Sequence, residues 1–443
     1  MRFAETWDAG HLFPPRELVL TRTDMEQFEA MGDQLVAETL QASEDFIAGG
    51  RSVDLDRWKN VMEKGSMTAY RSRARNQRHA RRGRLETEEA VESSFVHRPK
   101  LYSADSSFSD LMGRSYTHLS CNSSQDDVSS LESSGYHDES RIDSESPEQS
   151  VLGKSRPPNF PIIFGGGVIS GTVDDAALGF LADTEDRSIM RGAASKDVNV
   201  KDIRVLARIR GPTPQDPFRF LGIKWSSYSS SKAGTVVSKP RDVVLLESTG
   251  MTLDSTGEQV CYFLNHSVEI EEVPEFRKQG LARLRMSSCR IVRPYNNQGE
   301  VEVYFRGYCN AGGHSSIGAS TQFFCYNLLD TAQVVEESYL KKLAWCVHAN
   351  SYYQNHHKDN EKYEGCACCR KLPIKGFKKL LETSTKCFLC RRKVCRKCTV
   401  KKHLHIDSTS KKNLEFCLTC YLKAKKLSAW NVAVATLPKS DGD

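Results

Sequence analysis

Apolar residues recur every three to five positions over 23–47, which predicts a helix with one apolar face. Thr23 and Glu26 have the Thr-x-x-Glu spacing of a capping box, which places the start of this helix. The pattern could continue as helix through 54–61 after the glycine pair at 49–50, and 67–71 is then a short strand.

From residue 158 the pattern changes to short segments with alternating apolar and polar positions, which is typical of strands. Leu284 and Met286 alternate with Arg283 and Arg285, so we expect an antiparallel sheet with one buried face. A glycine-flanked strand at 168–173 precedes a helix at 174–183. The glycine triplet at 165–167 is interpreted as a turn. The other predicted strands are 205–210, 218–228, 241–248, 259–267, 282–294 and 301–309.

A second long helix is predicted to begin at Asp330, capped by Gln333 in the Asp-x-x-Gln manner. Lys341 and Lys342 are expected on its outer face. Its apolar stripe consists of Val335, Tyr339, Leu343 and Val347. A sheet wrapped around such a helix often leaves a cavity that suits an apolar small molecule, and a filled core is the alternative.

Composition divides the 443-residue chain unevenly. Residues 71–84 contain seven arginines and no acid, and residues 93–155 contain 19 serines among 63 positions. Such segments bury too little apolar surface to offset their ordering entropy, so 74–157 is predicted to be a disordered insertion. The arginine run is interpreted as a solvated strip, with a membrane or nucleic-acid contact as the alternative.

No segment approaches the roughly 18 consecutive apolar residues of a membrane-spanning helix. The first residues also lack the apolar run of a secretory signal, so we expect a cytoplasmic protein. The predicted organisation is an N-terminal segment (1–22), a first domain part (23–73), the insertion (74–157), the rest of that domain (158–350), a finger (351–425) and a tail (426–443).

Nine of the 15 cysteines fall between residues 366 and 420. Eight of them form four Cys-x-x-Cys pairs, the number of thiolates that two closed tetrahedral zinc sites require. The four-residue gap between the second and third pairs favours an interleaved arrangement, with pairs one and three on one ion and pairs two and four on the other. The predicted ligands of two structural zinc ions are Cys366, Cys369, Cys387, Cys390, Cys395, Cys398, Cys417 and Cys420.

Cys368 is the surplus thiol, and it could replace Cys369 as a ligand. The two-residue spacing of the other pairs favours Cys369. The nearby histidines at 356, 357, 403 and 405 are interpreted as exposed polar residues, because eight cysteines already fill both sites.

Residues 370–402 contain thirteen Lys/Arg and one acid, a net charge of +12. Apolar side chains are mixed with lysines at 372–381, a combination that suits an anionic membrane surface. An acidic protein partner is the next alternative, and nucleic acid is disfavoured. The candidate anion-binding residues are Lys375, Lys378, Lys379, Arg391, Arg392 and Lys393.

Five segments resemble parts of START (StAR-related lipid-transfer) domains, in the expected order. The resemblance covers roughly 35–350 and is interrupted by the insertion. It implies an α+β helix-grip fold, in which a curved antiparallel sheet surrounds a C-terminal helix over a lipid-sized tunnel. The segments are 58–73, 171–183, 219–225, 241–250 and 281–294.

The sequence CFLCRRKVCRKC at 387–398 and the final CLTC at 417–420 resemble FYVE-type zinc fingers, which have a two-zinc cross-brace. FYVE fingers bind phosphatidylinositol 3-phosphate through a tryptophan-x-x-aspartate start, an RRHHCR motif and an RVC motif. This chain departs from each, with no tryptophan in 357–365, STKCF at 384–388 and Glu415-Phe416 before Cys417. The resemblance therefore implies the scaffold and not the specific lipid contacts.

Together these features predict a non-enzymatic lipid-binding and membrane-adaptor protein, peripheral on endomembranes. The START-like domain would hold a hydrophobic lipid, and the finger would dock on an anionic membrane or a protein partner. A RING-like ubiquitin ligase or a protein-interaction module is the alternative, because RING domains also interleave two zinc ions. No G-x-S-x-G nucleophile motif supports a thioesterase.

Overall fold

The computed structural model describes residues 18–73, 150–192, 198–230, 239–296, 299–354, 365–372, 385–405 and 411–437. The predicted disordered insertion lies outside these residues except for 150–157.

Helix α1 (Arg22–Ala48) covers the predicted helix, but its capping box begins two residues earlier than predicted, at Thr21. Thr21 Oγ1 accepts a hydrogen bond from the backbone N–H of Asp24 at 3.1 Å, and an Asp24 oxygen accepts from the Thr21 N–H at 2.9 Å. These two bonds satisfy N–H groups at the helix start that have no partner within the helix.

The predicted extension of this helix through 54–61 is wrong. Gly50 and Arg51 have φ values of 69° and 59°, and this left-handed backbone ends the helix. The chain then forms strand β1 (Trp58–Lys64), which pairs antiparallel with β2 (Met67–Ser72). The predicted strand at 67–71 is present.

A short helix, α2 (Val151–Ser155), lies within the stretch that the sequence assigns to the disordered insertion. Glu38 of α1 accepts a hydrogen bond from the Val151 N–H at 2.7 Å, and Leu152 is buried beside Leu35 and Val36. The order of this segment therefore comes from contacts with α1, which local composition does not reveal.

The main sheet and its two small helices follow. Helices α3 (Val173–Phe180) and α4 (Glu185–Gly192) separate β3 from β4. The remaining strands are β3 (Ile163–Ser170), β4 (Val198–Arg210), β5 (Phe220–Ser230), β6 (Arg241–Leu253), β7 (Gln259–Ser267), β8 (Ala282–Arg283), β9 (Arg285–Asn296) and β10 (Glu300–Asn310).

The strand order is β1-β2-β3-β10-β9-β7-β6-β5-β4, with antiparallel neighbours throughout, and β8 adds a short parallel pairing to β6. The predicted antiparallel sheet is confirmed. The predicted turn at the glycine triplet is wrong, because all three residues lie inside β3. A Cβ atom on Gly166 would lie 1.9 Å from the Val303 carbonyl oxygen, so the close passage of β10 requires glycine there.

The helix that lies across the sheet is α5 (Ile317–Leu329), which the sequence analysis did not identify. It contacts β1, β2, β3 and β10, and it buries Phe324, Cys325, Leu328 and Leu329. The predicted C-terminal helix is α6 (Val334–Gln354), which follows a 3₁₀ turn at Asp330–Gln333 and packs mainly on α3. The sheet therefore packs around α5, and α6 continues beyond the sheet.

The prediction that Lys341 and Lys342 face outward is wrong. Lys342 is 2% exposed, and its Nζ lies 2.5 Å from an Asp175 oxygen. Lys341 Nζ donates to carbonyl oxygens at the end of α3, where helical carbonyls lack partners within the helix. Its acceptors are Leu178, Gly179 and Leu181. The packing of α3 on this face of α6 draws both lysines inward.

The cysteine-rich finger (residues 365–425) contains β11 (Thr385–Lys386), β12 (Lys393–Val394), β13 (Thr399–His405), β14 (Lys411–Cys417) and α7 (Leu418–Lys425). Helix α8 (Ala429–Ala435) follows and packs back on α3 and α6. Its Trp430 ring meets the Phe218 ring edge-on at 5.6 Å. We call residues 18–350 the sheet domain.

Candidate functional site: a cysteine-rich finger and a cavity under the sheet

Two similar tight turns shape the first and second cysteine pairs. The Arg370 N–H donates to the Cys366 carbonyl, and the Arg391 N–H donates to the Cys387 carbonyl, both at 2.9 Å. Both arginines have a φ of 58°, in the left-handed region. Each turn brings the two thiols of its Cys-x-x-Cys pair to the same side of the chain.

The structure brings the eight paired cysteines together in two groups of four. In each group, one thiol sulfur from every member lies within 4.8 Å of the others. The first group joins pairs one and three, and the second joins pairs two and four. The groups are Cys366, Cys369, Cys395, Cys398 and Cys387, Cys390, Cys417, Cys420.

The sulfur separations match those of a metal site. The Cys369 and Cys395 sulfurs are 3.7 Å apart, and the Cys390 and Cys417 sulfurs are 3.9 Å apart. A disulfide would require about 2.05 Å, whereas four sulfurs about 2.3 Å from a tetrahedral ion lie about 3.8 Å apart. Each group could therefore hold one metal ion.

Backbone N–H groups donate hydrogen bonds to a cysteine sulfur in each group of four. The Cys395 N–H points at the Cys366 sulfur at 3.5 Å, and the Cys420 N–H points at the Cys417 sulfur at 3.3 Å. Outer contacts of this kind orient metal ligands and favour the thiolate form.

The surplus thiol lies outside both groups. Cys368 accepts a contact from the Thr419 hydroxyl at 3.4 Å. Among the four nearby histidines, residues 356 and 357 and the side chain of residue 405 are outside the described part of the chain. His403 is exposed on β13 and belongs to neither group.

The basic residues of the finger fall into two sets. Arg391, Arg392 and Lys393 are exposed at the second turn, whereas Lys375, Lys378 and Lys379 lie outside the described residues. Two further lysines of the +12 run form ion pairs, since Lys402 contacts Glu336 of α6 and Lys401 contacts Glu415 at 2.7 Å. The charge available to a ligand is therefore smaller than the sequence count.

The finger contacts the sheet domain through α6. Leu343 and Val347 belong to the same apolar cluster as Leu404 and Phe416 of the finger. The Tyr421 hydroxyl also lies 3.3 Å from a Glu336 oxygen. The second half of the predicted apolar stripe therefore faces the finger rather than the sheet.

A cavity of about 280 Å³ lies between the inner face of the sheet, α5 and the start of α6. Its walls are largely apolar, which agrees with the cavity expected from a sheet that grips a helix. The apolar lining includes Phe180, Val243, Leu245, Met286 and Phe323.

Charged side chains also reach this cavity. Arg191 forms an ion pair of 2.5 Å with Glu247, which also binds Lys224 at 2.6 Å. Burial lowers the pKa of Lys224 to about 8, although Glu247 opposes the shift. Arg290 lies in the same cavity and is not among the predicted site residues. Its position next to the cavity could have been predicted, because residues 286 and 290 share one face of a strand.

A second cavity of about 410 Å³ lies between α3, α4, α6, β13 and α8. Arg191 and Glu337 line both cavities. Burial raises the pKa of Glu337 to about 7.

In the part of the chain that the structure describes, no helix is both long and apolar enough to cross a membrane.

Comparisons with known proteins give structural likeness only. No protein-family model matches the chain, and no curated protein matches it. The finger therefore has no match that identifies it as FYVE type.

Several solved structures are similar to the chain at low identity. Human STARD10 is 9% identical, with a TM-score of 0.34, over 77% of this chain and 86% of that one. Human StAR-related lipid transfer protein 5 is 12% identical, with a TM-score of 0.32, over 69% and 96%. A STAR-related lipid transfer protein from Xanthomonas axonopodis is 10% identical, with a TM-score of 0.29, over 64% and 96%. Scores at this level identify no ligand.

Proposed function

We propose that this chain is a non-enzymatic lipid-binding adaptor. The sheet domain holds a hydrophobic ligand, and the finger, built around two structural zinc ions, docks on an anionic membrane surface. The observation that supports this most directly is the apolar cavity between the sheet and α5. A largely apolar cavity with a few polar groups is the usual form of a small-molecule site.

The two groups of four cysteines support zinc as the metal. Four cysteine sulfurs in a tetrahedral arrangement are a preferred donor set of Zn²⁺. Four protein ligands leave no position for water or substrate, so each ion is structural. We therefore assign no catalytic role to the finger.

Exposed apolar side chains on the finger support membrane docking. Leu418 and Leu422 of α7 are 42% and 46% exposed and lie one helical turn apart. Leu372 is 68% exposed directly after the first turn. Apolar side chains beside basic ones suit the surface of an anionic leaflet, where each Lys or Arg contributes about 1 kcal/mol. We place the protein on the cytoplasmic face of endomembranes.

Native mass spectrometry of the purified full chain tests the ligand and the metal together. We expect two zinc ions per chain and a co-purified lipid mass that dissociates on activation. A chain with no lipid that also fails to take up single-chain lipids would overturn the ligand part. One zinc ion, or none, would overturn the metal part.

Vesicle flotation across a salt series tests the docking surface. Screening acts over about 8 Å at physiological salt, so binding should weaken steeply as salt rises. Because the FYVE contacts are missing, binding should follow total lipid charge, with little preference for phosphatidylinositol 3-phosphate over phosphatidylserine at equal charge.

Two triple variants test the basic residues of the finger. Changing Lys375, Lys378 and Lys379 to Glu should abolish flotation without releasing zinc. Changing Arg391, Arg392 and Lys393 to Ser should weaken it. The matched control changes three exposed lysines of the sheet domain to Ser and should leave flotation unchanged. These are Lys59, Lys239 and Lys278. Salt-insensitive binding confined to the 3-phosphate lipid would contradict the docking proposal.

A further inference from the structure

Arg290 carries a buried charge, and it forms no ion pair with any residue that the structure describes. The residue is 7% exposed, and its guanidinium donates to the hydroxyls of Thr331 at 2.8 Å and Ser288 at 3.2 Å. Among the residues that the structure describes, no carboxylate forms an ion pair with it. A buried charge is costly unless an opposite charge compensates it.

Arg191 gives a direct comparison within the same cavity. The two guanidinium groups lie 4.6 Å and 5.0 Å from the centre of the Phe263 ring. Among the described residues, Arg191 has a carboxylate partner in Glu247, whereas the partners of Arg290 are two hydroxyls and the ring. Burial lowers the pKa of Arg290 to about 10, so it stays charged at neutral pH.

The carboxylates that line the cavity are engaged or placed elsewhere. Asp330 pairs with Lys64 at 2.5 Å. Glu337 lines both cavities, where Lys341 and Arg191 interact electrostatically with it. Glu247 and Asp330 act on Arg290 only through space, and neither forms an ion pair with it among the described residues, so its guanidinium can pair with a group that enters the cavity.

The side chain of Asn265 adds an unsatisfied polar group beside this charge. Asn265 is 8% exposed and lines the cavity, and its amide oxygen has no hydrogen-bond partner among the described residues. Asn265 pairs with Ser288 across β7 and β9, and Phe263 pairs with Arg290, so these four residues share one patch of the inner face. The Asn265 amide also carries two N–H donors, which suit an anionic oxygen.

We propose that the cavity binds a single-chain amphiphile with an anionic oxygen head group, a carboxylate or a phosphate. The head group pairs with the Arg290 guanidinium and contacts the Asn265 amide. The apolar chain lies against Val243, Leu245 and Phe323. This inference rests on the proposed lipid binding and names the class of lipid.

Size favours one chain over two. The cavity volume of about 280 Å³ is at the lower end of the range for sites that enclose drug-sized ligands. A guanidinium fork also suits carboxylate and phosphate oxygens, to which it donates two parallel hydrogen bonds.

Isothermal titration calorimetry on the full chain, below micellar concentrations, compares tetradecanoate, tetradecyl phosphate and 1-tetradecanol. The three share one chain and differ in head group. We expect the dissociation constant of either anion to be at least about tenfold lower than that of the alcohol. A ratio of this size corresponds to the free energy of a buried charge-assisted hydrogen bond. This comparison uses the unmodified protein and does not depend on a variant that folds.

Two variants then locate the head group. Arg290→Gln should weaken tetradecanoate binding about tenfold and leave tetradecanol within about twofold. Asn265→Leu should weaken tetradecanoate binding by a smaller factor. Thermal melting confirms that both variants fold, and Lys278→Ser is the control.

The outcomes separate the two proposals. If the alcohol binds as tightly as the anions, or if Arg290→Gln folds and binds tetradecanoate normally, the head-group assignment is wrong and lipid binding stands. If none of the three ligands binds, the single-chain assignment is wrong, and if native mass spectrometry also finds no co-purified lipid, both proposals are wrong. A preference for one anion over the other, with both above the alcohol, supports the assignment and selects the head group.

Discussion

The sheet domain and the finger are each stabilised by a different physical effect. The sheet domain buries large apolar side chains between one long sheet and its helices, including Trp225, Phe305 and Phe324. Among the finger residues that the structure describes, fewer large apolar side chains are buried, chiefly Leu404 and Phe416, and only three of the eight paired cysteines are buried. A short polar segment cannot be stabilised by burial alone, so metal binding supplies folding free energy that the sheet domain obtains from its core.

The two regions also use charge differently. The sheet domain contains buried ion pairs, such as Lys342 with Asp175 and Lys224 with Glu247. The finger keeps Arg391, Arg392 and Lys393 exposed. Four experiments test this contrast.

The largest expected effect is the loss of a metal ligand. Cys395→Ser should release the ion of the first group and unfold the finger, because structural zinc contributes about 10–16 kcal/mol to folding in small fingers. The sheet domain should keep its thermal transition. Metal content and limited proteolysis measure the two effects.

Cys368→Ser is the matched control for that variant, because Cys368 lies outside both thiol groups. We expect it to keep two ions and a protease-resistant finger. Two ions retained in the Cys395 variant, or one lost in the Cys368 variant, would refute the grouping as a ligand set.

The next effect concerns the buried ion pair of the sheet domain. Lys342→Met leaves Asp175 buried without its cation, which should cost about 3–5 kcal/mol of unfolding free energy. Urea unfolding measures this loss, and the double variant with Asp175→Asn should recover part of it. Lys59→Met, on the surface, should change stability by no more than about 0.5 kcal/mol. A Lys342 variant as stable as the Lys59 variant would show that the pair is not buried in solution.

A third effect is a pH dependence confined to the sheet domain. Burial lowers the pKa of His266, 5% exposed, to about 4. As the pH falls from about 6.5 to about 4, the unfolded chain binds this proton and the folded chain does not. Stability is therefore lost over that window, by about 3 kcal/mol at most.

Urea unfolding at several pH values checks this effect. His266→Gln should flatten the pH dependence between about 6.5 and 4, and the exposed His348→Gln should not. An unchanged slope in the His266 variant would mean that the folded and unfolded chains bind this proton alike, so that burial does not lower the pKa of His266.

The smallest effect concerns the contact between the two regions. Lys402 and Glu336 are partly exposed, so Lys402→Met should cost only about 1 kcal/mol. Hydrogen exchange should increase in α6 and β13 while the metal content stays at two. Lys401→Met, whose partner Glu415 is within the finger, is the control and should leave exchange in α6 unchanged. A loss of metal in the Lys402 variant would show that docking on α6 holds the finger together.

The sequence predicted strands β5 to β10 well because their signals are local, whereas β1 was expected as helix and part of β3 as a turn. Strand alternation and hairpin turns depend on neighbouring residues, and the predicted strand at 259–267 matches β7 (Gln259–Ser267). Helix α5 was missed because its segment, IGASTQFFCYNLL, has no polar face to contrast with its buried one. The glycine triplet was misread because its need for glycine comes from strands far away in the chain.

The sequence alone predicted which cysteines form each group of four. A Cys-x-x-Cys turn brings two thiols together within a few residues, and the short gap between the second and third pairs favours an interleaved arrangement. Only the tertiary structure decided which charged residues are inside. Lys342 meets a carboxylate 167 positions away, and Lys341 donates to the Leu178 carbonyl, 163 positions away. A side chain's burial depends on what distant segments pack against it, and helical or strand periodicity does not record that.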